Sequence, residues 1–235
     1  MAQADKKAVV LTYHRVPSGL STAKFHDVPF DQFKEQMTLI AQREAASPNT
    51  YITFDDGTDD HAVAGALLHE MGLRGVFFII TGRLDQKGYL TSQQVVHLAR
   101  QGHRIGSHGI SHRHFPSLDS SELDEELASS KSFLEELTGT TVDWIAPPGG
   151  VYNRTVLERA LQLGYRVFRT MDWGYSSLPL SGRVVCLPVF RKYDLTAFER
   201  ILDGKAPLWR YKAKNILKVV LGERIYIGMR DRFTG

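Results

Sequence analysis

Short apolar runs rich in β-branched residues recur along the chain, and stretches with helical periodicity lie between most of them. Ala8–Tyr13, Tyr51–Phe54, Gly75–Ile80, Arg104–Ser107, Val142–Ile145, Arg166–Arg169 and Val184–Phe190 read as strands. Residues from about Pro29 to Arg43, then Asp59–Met71, Thr91–Arg100, Ser120–Leu137, Arg154–Leu163 and Leu195–Leu202 read as helices. Strand–helix–strand units at this spacing build parallel sheets with right-handed crossovers. Seven or eight such units close into a barrel, whereas fewer leave an open sheet. The count predicts an α/β fold, a distorted (β/α)7-8 barrel. No Gly-rich dinucleotide or phosphate loop follows any of the strands, which weighs against a nucleotide-binding doubly wound sheet.

Composition narrows the class further. With 43% hydrophobic residues, a chain of 235 residues can bury one sizeable core. Cys186 is the only cysteine, so no disulfide framework is available, and a buried, inert thiol is expected there. No apolar run approaches the ~18 residues of a membrane span. Met1 to Lys7 is polar and leads straight into the first strand, which predicts no signal peptide and a cytoplasmic location. The net charge of +3 is uneven. From Lys205 onward, eight Lys and Arg stand against Glu223 and Asp231, a local +6 that leaves the preceding body at −3. An acidic body argues against a nucleic-acid partner. We therefore divide the chain into a barrel over 1–204 and a basic amphipathic tail over 205–235. In that tail Trp209, Ala213, Ile216, Leu217 and Val220 share one helical face, and Arg210, Lys214 and Lys218 another. Such a helix either packs on the barrel or contacts an anionic membrane peripherally.

In a parallel barrel, chemistry gathers at the C-terminal ends of the strands. Two segments there carry it. Thr53-Phe54-Asp55-Asp56-Gly57 ends one strand with adjacent carboxylates that repel each other, and Gly57 permits a turn that separates their roles. The bland reading is an Asp-Gly turn; the chemical one is a carboxylate on a metal beside a free base. Ser107-His108-Gly109-Ile110-Ser111-His112 ends another strand with histidines at i and i+4, a spacing that shares one face of a helical turn. Nine histidines make one such pair unsurprising by chance. Together, Asp56, His108 and His112 form an Asp-His-His set with room for water and substrate, as catalytic zinc-type sites require. Asp55, close to the cation but off it, is then the group that takes a proton from water, kept ionised by the nearby positive charge.

These segments resemble the polysaccharide deacetylases with a NodB-homology domain, carbohydrate esterase family four. Thr53-Phe54-Asp55-Asp56-Gly57 is similar to the family's first motif, whose first Asp is the general base and whose second is a metal ligand. His108 to His112 is similar to the second, metal-binding motif. Trp144-Ile145-Ala146-Pro147-Pro148-Gly149-Gly150 resembles the third, a wall of the substrate groove. Met171-Asp172-Trp173 resembles the fourth, whose Trp lines an apolar wall around the acetyl group. The resemblance spans roughly residues 8 to 190. It implies a distorted (β/α) barrel and metal-dependent hydrolysis of an N-acetyl group on a sugar.

Two departures from the family pattern stand out. Ala146 occupies the place of the third motif's Arg, which orients the catalytic Asp, and Arg169, with Arg166 second, is the candidate to replace it. The fifth motif's His, the general acid, is absent because no histidine follows His114, and Val184–Arg191 fills that stretch. His14, ending the first strand on the same rim as the metal residues, is the candidate replacement; the alternative is a rim histidine that touches substrate or caps the strand. The substrate groove is assigned to Pro148, Gly149, Gly150, Tyr152, Trp173 and Arg169, with a backbone N–H near Gly150 helping to hold the oxyanion. Asn153 is read either as a sugar contact or as a helix cap. The expected cofactor is a divalent metal, zinc first, with Co2+, Ni2+ or Fe2+ also suited. The expected partner is an N-acetylated sugar of a surface polysaccharide, such as lipopolysaccharide, or its lipid-linked precursor. The rival readings are a hydrolase of another amide or ester, a formyl group included, and a glycan-binding homologue with impaired catalysis.

Overall fold

A computed structural model describes residues 7–19, 26–44 and 49–208. The predicted units follow one another as β1 (Lys7–Tyr13), α1 (Phe30–Glu44), β2 (Thr50–Phe54), α2 (His61–Glu70), β3 (Gly75–Ile79), α3 (Ser92–Arg100), β4 (Arg104–Ser107), α4 (Ser120–Asp124) and α5 (Ser130–Thr138). They continue as β5 (Trp144–Ile145), α6 (Arg154–Gln162), β6 (Val167–Trp173), β7 (Ser176–Ser177), β8 (Gly182–Pro188) and α7 (Leu195–Leu202). The order β2-β3-β4-β5-β6-β8-β1, with β1 also pairing with β2, closes seven parallel strands into a barrel. The fold is the (β/α)7 form of the expected barrel. The short β7 adds antiparallel to β1 and was not foreseen, since two serines carry no strand signal.

Strand parity explains the interior. Along β1, Val9, Leu11 and Tyr13 join the large core under the helices, with Phe33, Met37 and Ile40 of α1. The alternate residues Ala8 and Val10 join a second, smaller cluster with Val76, Phe78, Trp144, Ala146, Val167, Val184 and Cys186. That second set fills the barrel, because successive side chains of a strand point to opposite faces. The same parity turns Arg169, two residues beyond Val167, into the barrel, where its guanidinium lies 4.9 Å from the Phe78 ring centroid.

Side-chain oxygens cap several helices. Thr91 with Gln94 and Asp119 with Glu122 form capping boxes, Asn153 accepts from the Val156 N–H, and Asp194 accepts from the Ala197 N–H. The single helix expected over Ser120–Leu137 is broken by a π-helical turn at Glu125–Ser129. No helix among the described residues is long and apolar enough to cross a membrane. Residues 209–235, which hold nearly all of the proposed tail, lie outside the described residues.

Candidate active site

Asp55 and Asp56 follow β2 at the C-terminal rim of the barrel. Parity points Asp55 inward, in line with Thr53, and its main-chain N–H donates to the Tyr13 carbonyl at 3.0 Å. Continued extension would send Asp56 to the opposite face. The chain instead turns left-handed at Asp56 (φ 79°) and again at Gly57 (φ 68°). A left-handed non-glycine residue costs ~1–3 kcal/mol and persists where its surroundings hold it. The turn brings both carboxylates to one rim.

His108 directly follows β4. His112 does not join it through a helical turn, as the i, i+4 spacing suggested. The segment is a loop, left-handed at Gly109 (φ 76°) and at His112 (φ 64°). Gly109 supplies one of these turns without penalty, and the two rings still meet, with centroids 5.1 Å apart.

The ligand atoms converge. Asp56 Oδ1 lies 3.4 Å from His108 Nε2 and 3.3 Å from His112 Nε2. One donor atom from each of the three residues falls within 4.8 Å of the others. Two observations fit this set to a divalent metal. His112 Nε2 is buried and meets Asp56 Oδ1 at 3.3 Å without the geometry of a hydrogen bond. His108 Nδ1 lies 2.8 Å from the Ala146 carbonyl, so that nitrogen carries the proton and Nε2 presents its lone pair to Asp56's side.

The electrostatics agree. Burial works against charge on Asp56, yet His108 and His112 hold its carboxyl well below the usual range, with His14 adding to the pull. Burial likewise works against charge on His108, and the carboxylates of Asp56 and Asp55 outweigh it and raise its pKa.

Asp55 stands outside this set. It is 3% exposed and forms an ion pair with Arg169, itself 0% exposed. Burial opposes its charge, but Arg169 first, then His108 and His14, lower its pKa overall. Between β5 and β6 the register runs Trp144↔Val167 and Ile145↔Phe168. Carried one residue further, it sets Ala146 alongside Arg169. The small Ala146 leaves room for a guanidinium arriving from the neighbouring strand. Arg169 therefore stands behind Asp55 and does not line the groove, a correction to its grouping with the sugar contacts. Arg166 is exposed and lies 3.7 Å from Asp143, away from Asp55.

The remaining groove candidates divide. His14 is half-buried beyond the end of β1, its carbonyl bonded by His61 Nε2 and its ring 5.1 Å from that of His26. Trp173 stacks on Phe190 at 5.5 Å with planes 25° apart, forming a flat apolar face. Pro148 is buried and Gly149 exposed in a 3-10 turn over Pro148–Gly150. The Gly150 N–H does not await an oxyanion: it donates to the Pro147 carbonyl at 2.9 Å, because the turn closes on itself. The Tyr152 hydroxyl is engaged by Asp172 at 2.6 Å and by Arg183 at 2.7 Å, and its ring packs 5.4 Å from Phe168. It braces the wall and is not a free sugar ligand. Asn153 is the helix cap. Cys186 is buried inside the barrel, where burial pushes its thiol up to about 11.

A (β/α)7 barrel with an Asp-His-His donor set and a separate buried carboxylate on its C-terminal rim defines a class, that of barrels equipped for metal-assisted hydrolysis. Comparison with known proteins gives the family. The sequence profile of the polysaccharide deacetylase family matches residues 42–168, more than half of the chain. The chain belongs to the polysaccharide deacetylase family. It is 29% identical over 186 residues to the Bacillus subtilis protein YxkH, covering 73% of this chain and 67% of that one. It is 29% identical over 130 residues to the peptidoglycan-N-acetylglucosamine deacetylase of Bacillus cereus, covering 54% of this chain and 57% of that protein's length. The fold superimposes on the Streptococcus pyogenes deacetylase PplD, solved in complex with acetate, with a TM-score of 0.75 over 86% of this chain and 100% of that one. Identity there is 21%, so that likeness speaks for the fold alone.

Proposed function

We propose that this chain is a divalent-metal-dependent deacetylase that hydrolyses the acetamide of an N-acetylated sugar within a glycan. The observation that carries this reading is the separation of two adjacent carboxylates. Asp56 faces His108 and His112, while Asp55 is held by Arg169. Asp56, His108 and His112 would hold the metal, which when bound supplies Lewis acidity to the acetamide carbonyl and makes water a better nucleophile. The donor set suits zinc first, and also cobalt, nickel or iron.

The chain's own groups then do the following. Asp55, kept ionised and aimed by Arg169, takes a proton from the attacking water. His14, on the same rim, gives a proton to the departing sugar nitrogen, which otherwise leaves poorly. The stacked Trp173 and Phe190 offer an apolar face to the acetyl methyl. Water and the acetamide become acetate and a free sugar amine. The name of the Bacillus cereus relative supports an N-acetylated glycan of the peptidoglycan type as substrate.

Acetate release from N-acetylglucosamine oligomers and peptidoglycan fragments tests the reading. Acetate should appear in step with new amines, stop on chelation, return with Zn2+ and fail in Asp55→Asn at unchanged metal content. Formate release from N-formyl sugars without acetate would redirect the reading to another amide. Saturable glycan binding with no product would overturn it in favour of a binding protein.

A further inference from the structure

The loop that carries His112 is held by a group outside the donor set. Glu126 lies in the π-helical turn Glu125–Ser129 and is 7% exposed. Both of its carboxylate oxygens are spent on the loop. They accept the Ile110 N–H at 2.5 Å, the Ser111 N–H at 3.2 Å and the Ser111 hydroxyl. Gly109 makes this approach possible, since a Cβ there would sit 2.7 Å from Glu126 Oε2.

Glu126, Leu127 and Ser130 lie on the buried side with Leu123 and Leu134, at the i, i+3, i+4, i+7 and i+11 positions of one helical face. The turn's disturbed carbonyls find other donors: Tyr165 Oη donates to Leu127 O at 2.8 Å and Ser130 Oγ to Glu126 O at 2.6 Å. Ser130 Oγ also meets Ser107 Oγ at 2.7 Å, and Ser107 Oγ accepts the Gly109 N–H at 3.1 Å. The Ile110 and Ser111 donors are thus held by Glu126, while the Gly109 and Ile110 carbonyls accept from the Thr81 and Gly82 N–H groups, both at 3.0 Å.

A buried carboxylate costs free energy unless its oxygens are well bonded, and an apolar side chain at this helix position would avoid that cost. What the carboxylate supplies instead is a fixed loop path. His112 follows directly in a left-handed conformation that a loose loop would abandon.

We propose that Glu126 is a positioning residue that sets His112 for metal binding, so that its carboxylate works as a clamp on the metal loop. The inference rests on Asp56, His108 and His112 being the metal site. Outer partners of metal ligands commonly contribute 10- to 100-fold to metal affinity.

The test measures Co2+ and Zn2+ affinity of the metal-stripped full chain by chelator competition, together with the visible Co2+ spectrum and the apo-protein Tm. Glu126→Gln keeps the shape but turns one acceptor into a donor, and should weaken both metals by about 10-fold. Glu126→Ala should weaken them by about 100-fold. Both variants should perturb the Co2+ bands, and Glu125→Gln, on the exposed side of the same turn, should behave as wild type. Ser111→Ala, which keeps the Glu126 bonds to the main chain and loses the hydroxyl's contacts with Glu126 and with the Arg113 N–H, should produce a smaller loss and guards against a misfolded Glu126 variant. A fall in apo Tm with affinity and spectrum unchanged would overturn the proposal and leave Glu126 merely structural. Failure of the wild type to bind either metal would overturn the site reading itself.

Discussion

Asp55 is both buried and adjacent to another carboxylate, two conditions that favour its neutral form. Arg169 reverses the balance, so removing Arg169 has a definite sign. In Arg169→Met the burial contribution is left dominant, the Asp55 pKa rises, and the acid limb of kcat/KM moves to higher pH. Arg169→Lys keeps the charge without the planar fork and should hold the limb near its wild-type position at a lower rate. Breaking a buried ion pair from one side costs ~3–5 kcal/mol, so Arg169→Met should also unfold at lower denaturant. An acid limb unmoved in Arg169→Met would remove Arg169 from the control of Asp55. His14 makes a different demand. If it protonates the departing amine, His14→Ala should lower kcat by about 10²–10⁴-fold with metal content unchanged. Unaltered turnover would remove it from the mechanism.

At the scale of elements, the barrel's walls are tied by buried polar contacts as well as by apolar packing. His103, just before β4, accepts the Gly75 N–H of β3 on Nδ1 at 3.1 Å, and its Nε2 meets the Gly65 carbonyl of α2 at 2.9 Å. Burial pushes its pKa down to about 4. An unfolded histidine titrates near 6.5, so between pH 6.5 and 4 the unfolded chain takes up a proton that the folded chain refuses. Stability therefore falls on acidification through that window, by at most about 3 kcal/mol from this residue. His103→Gln removes the effect, and the stability gap between wild type and variant should narrow as pH drops from 7 to 4. A gap that stayed constant in urea titrations across that range would contradict the assignment.

For the whole molecule, metal binding and folding should be linked. The donor set is assembled from the ends of β2 and β4 and exists only once the barrel closes, so a metal that binds it favours the folded state. At 100 times its Kd, a ligand of the folded form adds ~2.7 kcal/mol. Zn2+ should raise the Tm of the wild type in a concentration-dependent manner and leave that of Asp56→Ala unchanged. An equal shift in Asp56→Ala would mean that the metal binds elsewhere.

The barrel and the donor set were legible in the chain because each is written in short segments. Apolar runs at βα spacing announce parallel strands, and Thr53–Gly57 and His108–His112 carry their chemistry within five residues each. Other parts depended on where distant segments come to lie. Arg169 meets Asp55 from 114 positions away, and only the β5–β6 register, with Ala146 as its small neighbour, brings it there. The left-handed turn at His112 and the π turn under Glu126 follow from loop and helix packing, for which helical periodicity has no sign; a glutamate on an amphipathic helix ordinarily reads as solvated. That the Gly150 N–H closes a tight turn onto the Pro147 carbonyl is likewise decided by the backbone path. Local pattern is enough to choose the architecture and the candidate donor residues, whereas the direction in which a side chain finally points is a property of the closed barrel.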